Sequence, residues 1–321
     1  MVAEAVERLD TYRVELTGYC YRMLGSGFEA EDAVQETFVR AWKAEHDPNR
    51  GSVRTWLYAI ATNVCLDMLR SAQRRARAMD LAPPASPGPD VGAPLPPSAW
   101  VQPVPDHRAL PGDPAEVAAL RETIRLAFVA ALQHLPPRQR AVLILRDVLR
   151  WSAAEVARLL DTTVTSVNSA LQRARATMAT RAPEPAEPLT DEHRDLLARY
   201  VDAFERYDVA ALTALLHEDA TMSMPPFAWW LRGRDDIAAA LAHSDGTCEN
   251  ARLVPTMASG TPAFGQYRWN GTEHEPFALV LIEVRGGRIA SDTTYLDLAH
   301  AFPMYGLPMS LPAADRSSGH E

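Results

Sequence analysis

With 321 residues, 47% of them apolar, the chain is too long for one small module and rich enough in apolar side chains for two or three separate cores. Its longest clean apolar runs, such as FALVLIEV at 277–284, are strand-sized; its opening MVAEAVERLDTYRVEL lacks a basic start and a cleavage site; Cys20, Cys65 and Cys248 are few and far apart. These features argue for a cytoplasmic protein with no membrane span, no leader, no disulfide framework and no metal or cofactor. The net charge of −9 argues against nucleic acid as a partner, but residues 121–181 hold ten arginines against four acids, while residues 182–321 hold ten against 21. Screening at physiological salt acts over about 8 Å, so local charge decides what a surface attracts. The middle of the chain is suited to meet DNA and the C-terminal part is not.

In chain order, helices are expected over 4–23, 29–44 and 53–77, the second set off by GSG at 25–27 and the third by DPNRGS. They make a first domain of residues 1–81. Eleven of the 25 prolines fall between Pro83 and Pro114. Proline removes a backbone donor and fixes φ, so 82–113 reads as a semi-rigid or extended linker holding neither a helix nor a central strand. A second domain, 114–181, carries four helices beginning near Pro114, Pro137, Ser152 and Thr163, the third opened by the capping box Ser152-Ala153-Ala154-Glu155.

A short break at 182–189 leads to a third domain, 190–311, and a tail, 312–321. Helical patterns at 190–207, 209–217 and 234–242 give way to β-rich runs at 251–258, 263–270, 276–285 and 288–296, with Gly286-Gly287 as a hairpin turn. The fold class expected is therefore multidomain: an all-α N-terminal half followed by an α+β domain with a curved antiparallel sheet.

Val164, Val167, Leu171, Ala174 and Met178 recur at spacings of three and four, one apolar stripe. With Val156, Leu159 and Leu160 on the preceding helix and Asp161-Thr162 between them, they form the seam of a helix-turn-helix. The opposite face carries Thr165, Ser166, Asn168, Ser169 and Gln172, then Arg173 and Arg175. Neutral polar side chains at the start of such a helix suit base edges, since Asn and Gln bond adenine at two points and Ser bonds either base class; the arginines suit phosphates.

Three segments, EAEDAVQETFVRAW (29–42), TWLYAIATNVCLDMLR (55–70) and LPPRQRAVLILRDVLRWSAAEVARLLDTTVTSVNSALQRAR (135–175), resemble regions 2 and 4 of bacterial RNA polymerase sigma factors of the extracytoplasmic-function branch. The resemblance implies a sigma factor, not an enzyme, that directs core polymerase to promoter DNA. It implies that Asp32, Gln35 and Glu36 grip the coiled coil of the β′ subunit, with Phe38 and Trp42 in the core, and that region 4 meets the β flap. Asn63 matches the family's reader of the minus-10 element, and Asp67 lies one turn beyond it. Strand opening also needs cationic and aromatic groups for the exposed strand; Arg54, Arg70, Arg74 and Arg75 suit its phosphates, and Trp56 and Tyr58 are either base platforms or core. The 163–175 helix matches the minus-35 reader, but has Asn168 and Ala170 where many members carry arginine, which points to the sigma-G and sigma-J types with a fused SnoaL-like domain.

Residues 190–311 are similar to SnoaL-like members of the NTF2-like fold, a cone of helices and curved sheet around a pocket. Tyr200, Phe204, Met222, Met224, Trp229, Trp230, Tyr267, Trp269 and Tyr295 are candidate walls for a small-molecule ligand, and Asp219, Asp292, His217 and Arg268 the groups an acid/base site would draw on. The DGGGR signature of the sigma-J type is reduced to GGR at 286–288. A one-component regulator would need only the helix-turn-helix, and a SnoaL-like cyclase or hydrolase would leave half the chain without a role. The reading preferred is a sigma factor whose acidic C-terminal domain docks on regions 2 and 4 and modulates them.

Overall fold

The computed structural model describes residues 9–44, 51–71, 83–88, 90–181, 183, 187–242 and 246–312. The expected helical residues 4–8 and 72–77, with Arg74 and Arg75, lie outside them. The chain divides into two compact units, Met1–Met79 with Pro97–Pro185, and Asp80–Pro96 with Ala186–Glu321.

The first unit is helical. Helix α1 (Arg13–Leu24) stops at Gly25, whose φ of 75° is the left-handed cap glycine accepts without a Cβ penalty. Helix α2 (Gly27–Lys43) opens on Ser26, whose side chain accepts from the Glu29 N–H, and α3 is Val53–Ser71. Their core is aromatic and aliphatic: Leu16, Tyr19, Met23, Val34, Leu57 and Tyr58 are fully buried.

The proline-rich stretch is not a bare linker. It contains a 3-10 turn (Pro97–Ala99) and the short helix α4 (Asp106–Ala109), and buries Trp100, Val101, Val104, Ala109 and Leu110. Two glycines admit it: a Cβ on Gly18 would stand 2.5 Å from the Ala109 carbonyl oxygen, and one on Gly27 2.6 Å from that of Pro103. Proline forbids a long helix, but interspersed Trp, Val and Leu still supply a face to bury. Residues 83–95 belong to the other unit. There the Ala85 N–H donates to the Trp230 carbonyl at 2.8 Å and the Leu95 N–H to that of Pro226 at 2.8 Å.

The first unit continues with α5 (Pro114–Ile124), α6 (Leu126–Gln133), α7 (Pro137–Leu143) running into a π turn (Ile144–Val148), α8 (Ala153–Leu159) and α9 (Val164–Met178). One expected helix is thus two, broken at Arg125, whose ψ of 144° leaves the helical range. The capping box forms in full, Ser152 and Glu155 each bonding the other's backbone N–H. Val167, Leu171, Ala174 and Met178 are buried as the seam requires, whereas Val164 is 43% exposed, because it sits in the first turn, ahead of the contact with α7 and α8.

In the second unit α10 (Asp191–Glu205) and α11 (Val209–Leu215) precede β1 (Leu216–Ser223), β2 (Trp230–Arg232), α12 (Arg234–Ala242), β3 (Arg252–Ala258), β4 (Thr261–Trp269), β5 (His274–Arg285) and β6 (Arg288–Tyr295). The six strands run β2-β1-β6-β5-β4-β3. All pairs are antiparallel except β1 with β6, which is parallel, so the sheet is mixed. Gly286 and Gly287, at φ 59° and 68°, make the expected β5–β6 turn. One face packs α10 through Leu196, Leu197, Tyr200, Phe264, Val280 and Ile282.

Candidate nucleic-acid interface

Helix α9 presents Thr165, Ser166, Asn168, Ser169, Gln172, Arg173 and Arg175 to solvent. Thr163 caps the helix by accepting from the Ser166 N–H at 3.1 Å and also donates to the Ser166 hydroxyl at 2.9 Å, so Ser166 is committed in part to the helix end. Arg175 is bound at both ends of its fork by Asp147, Nε to Oδ2 at 2.8 Å and Nη2 to Oδ1 at 2.6 Å.

Helix α3 exposes Asn63, Asp67 and Arg70 and leaves Trp56 half-buried. Asp67 joins Arg70 and, at 3.3 Å, Arg40, whose Nε meets Glu36 at 2.7 Å; these links tie α2 to α3. Those hydrogen bonds hold the Arg40 guanidinium above its ordinary pKa, that to Glu36 being the largest influence. Arg54 binds Glu15 at 2.7 Å and lies over the rings of Tyr58 (5.4 Å) and Trp151 (5.5 Å). Tyr58 is core: it is fully buried, and burial pushes its hydroxyl well above the ordinary tyrosine range.

On α2, Asp32, Gln35 and Glu36 are exposed. Trp42, expected in the core, is 65% exposed, and Val39 is 41% exposed. The buried seam runs through Ala30, Val34, Thr37 and Ala41, and Trp42 stands one residue off it, three from Val39 and seven from Gln35. That spacing was the signal for an outward-facing aromatic.

In the second unit the candidate pocket walls divide between two faces of the sheet. Tyr200 and Trp229 belong to the core under α10, with Phe204, Met222 and Met224 packed against it. Tyr267 and Tyr295 do not: Tyr267 meets Phe302 edge-to-face, centroids 5.1 Å apart, on the other face, and Tyr295 is paired through Leu279 with Gly265, which faces Phe302 and Leu307. Trp230 alternates with Leu231 and so points away from the core as well. A tally of aromatics carries no information on the side of the strand each one takes.

The four acid/base candidates do not form one site. Arg268 binds Glu275 at 2.9 Å, and His217 Nδ1 accepts from the Asp219 N–H at 3.2 Å. Asp292 alone is interior, receiving the Tyr200 hydroxyl at 2.9 Å and that of Thr294 at 2.9 Å. Burial raises its carboxyl above the ordinary range, against the pull of those two hydrogen bonds.

Family models match Sigma-70 region 2 over residues 9–75, Sigma-70 region 4 over 125–178 and a SnoaL-like domain over 197–292. The chain is 43% identical to the ECF RNA polymerase sigma factor SigG of Mycobacterium tuberculosis, over 94% of its own length and 83% of that protein's. It belongs to the extracytoplasmic-function sigma factors. SigJ of M. tuberculosis is 29% identical over 68% of the chain and 64% of SigJ. The crystal structure of SigJ covers 95% of this chain and 99% of its own, with a TM-score of 0.58 at 21% identity, a likeness of fold.

As an extracytoplasmic-function sigma factor the protein is an initiation factor that works with core RNA polymerase and promoter DNA, and its matched families include no catalytic one. Region 2 comprises α1 to α3; region 4 comprises α6 to α9. Among the described residues no helix is long and apolar enough to cross a membrane.

Proposed function

We propose that three surfaces divide the work of this sigma factor. The outer face of α2, with Asp32, Gln35 and Glu36, seats the β′ coiled coil; Asn63 reads the minus-10 element, with Arg54, Trp56, Asp67 and Arg70 around the opened strand; and α9 reads the minus-35 element while region 4 rests on the β flap. The observation that carries this is the exposure of Thr165, Ser166, Asn168, Ser169, Gln172, Arg173 and Arg175 opposite a buried seam, in the stretch of the chain with the strongest positive balance. Asn168 and Gln172 supply base contacts, and Arg173 supplies phosphate contact.

The SnoaL-like domain modulates this activity. Its interior around Tyr200, Phe204, Met224 and Trp229 suits a small, largely apolar ligand, with Asp292 and the buried Trp229 indole N–H, which has no partner among the described residues, as polar groups.

Reconstitution of the full chain with core polymerase and mapping of transcripts across genomic DNA tests the assignment. Gln35→Ala with Glu36→Ala is expected to abolish transcription by loss of polymerase binding, and Asn168→Ala to relax promoter choice with polymerase binding intact. Full promoter-specific output from both variants would reject it.

A further inference from the structure

Among the arginines of α9, Arg175 differs from Arg173. It lies on the same stripe of the helix as Asn168 and Gln172, at spacings of four and three, so it is placed where the proposed reading face meets the duplex. Yet both ends of its guanidinium are engaged by Asp147, at 2.8 and 2.6 Å. Arg173 has no ion pair among the described residues.

Asp147 comes from the π turn Ile144–Val148 that ends α7. A π turn carries one extra residue per turn and re-aims the side chains around it. The neighbouring Arg146 is used locally, donating to the Trp151 carbonyl. Asp147 is left to face α9, with its side chain 28% exposed and that of Arg175 61% exposed.

We propose that Asp147 withholds Arg175 from the DNA phosphates and so acts as a specificity-determining residue of region 4. The inference rests on the reading of α9 as the minus-35 helix. Contacts to phosphate raise affinity for every sequence alike, whereas contacts to base edges discriminate. An arginine transferred from Asp147 to a phosphate would leave a bare carboxylate beside a polyanion. With the pair intact that flank of the helix is neutral, non-specific binding is held down, and the ratio of promoter to non-promoter affinity is set by Asn168 and Gln172.

The test is binding of the full chain to a short mixed-sequence duplex, followed by fluorescence anisotropy across a salt series, for the wild type and four variants. Each phosphate contact adds about 0.9 to the slope of log affinity against log salt. Asp147→Asn is expected to steepen the slope by about that amount, an extra three- to four-fold loss of affinity between ~50 and ~200 mM salt, and to tighten binding at low salt. Arg175→Ala alone is expected to leave the slope unchanged, and Asp147→Asn with Arg175→Ala to restore the wild-type slope. Arg173→Ala is expected to flatten it.

A pair that only braced two helices would give a different result, with Asp147→Asn and Arg175→Ala lowering the melting temperature and neither steepening the slope. That result overturns the proposal, as does an Arg175→Ala variant that loses a phosphate contact as Arg173→Ala does. If Arg173→Ala leaves the slope at its wild-type value, the assignment of α9 as the DNA-contacting helix falls first.

Discussion

Tyr58 of region 2 and Trp151 of region 4 pack at a tilt, with ring centroids 5.0 Å apart and planes at 54°, and the Arg54 guanidinium lies over both. The contact joins α3 to the turn before α8, so regions 2 and 4 dock on each other within the first unit. Arg140 of α7 reinforces it by donating to the Met23 carbonyl, and Arg22 donates to the hydroxyl of Thr123 on α5, just ahead of region 4, at 2.9 and 2.7 Å. Burial lowers the Arg22 pKa to about 10.

This docking has a length that can be compared with the promoter. Helices α3 and α9 have 19 and 15 residues, about 28 and 22 Å at 1.5 Å per residue. Elements ~25 base pairs apart lie ~85 Å apart along a duplex rising 3.4 Å per pair. With regions 2 and 4 docked through Tyr58 and Trp151, helices of that length fall short of that distance, so on the proposed reading the two regions part when both elements are bound. Fluorophores placed at positions 63 and 168 are expected to separate on addition of core polymerase with promoter duplex; an unchanged transfer efficiency would contradict this.

The aromatic pair also predicts an unusual mutational result. The Trp151 indole N–H is buried and finds no acceptor among the described residues, and an unsatisfied buried donor costs about 1–3 kcal/mol. Trp151→Ala removes the ring and leaves a cavity, at a cost of about 3–5 kcal/mol. Trp151→Phe keeps a ring on Tyr58 and removes the orphan donor, so its cost is expected to be far smaller, and near zero if the donor term offsets the lost volume. Thermal melting of the two variants checks the order.

Gly18→Ala pits two effects against each other. Alanine in a helix interior is favoured over glycine by about 1 kcal/mol. The new Cβ would stand 2.5 Å from the Ala109 carbonyl oxygen, and because that atom is backbone, segment 97–113 must shift; overpacking of this kind costs about 1–3 kcal/mol. The clash is expected to win, with a lower melting temperature and faster exchange of the Leu110 amide, which now bonds the Asp106 carbonyl at 2.8 Å.

Asp292 predicts a pH dependence. Its carboxyl is raised above the ordinary range in the folded state, by burial. The folded state therefore keeps a proton that the unfolded chain releases near pH ~4. Stability on this account is greatest below that pH, falls as pH rises toward the raised folded value, and levels off above it, at about 1.4 kcal/mol for each pH unit of the window. Asp292→Asn has no charge to bury, and its amide oxygen still accepts from Tyr200. Urea unfolding from acid to neutral pH is expected to show a flatter profile in the variant and higher relative stability at neutral pH.

The elements legible in the sequence were those with a strong period. The α9 seam, the capping box at Ser152 and the strands at 252–295 follow from apolar spacing and turn residues. Strand β1 did not, because LHEDATMS places His, Glu and Asp in succession and its pairing with β6 is parallel, which needs a distant partner. Strand β2 is only three residues long. For the site, spacing told which face of α9 is exposed but not which arginine is occupied: the partner of Arg175 is 28 residues away on another helix. Composition marked residues 82–113 as a linker without helix or central strand, and could not show the short helix at Asp106–Ala109 or that Trp100, Val101 and Leu110 are buried there.

Trp42 separates stability from partner binding on one helix. Its side chain is 65% exposed, so Trp42→Ala removes little buried surface and is expected to change stability by no more than about 0.5 kcal/mol. An exposed Trp beside Gln35 and Val39 is also the residue type that anchors interfaces, where truncation costs about 2 kcal/mol or more, roughly thirty-fold in affinity. Phe38, four residues before Trp42 on α2, is half-buried with the Arg13 guanidinium 5.0 Å from its ring centre. Phe38→Ala is therefore expected to lower the melting temperature, whereas Trp42→Ala leaves it in place and weakens binding to core polymerase. Melting curves and polymerase titrations of the two variants give opposite patterns if α2 presents this face to its partner. Loss of stability in Trp42→Ala with unaltered polymerase affinity would show that the tryptophan serves the fold instead.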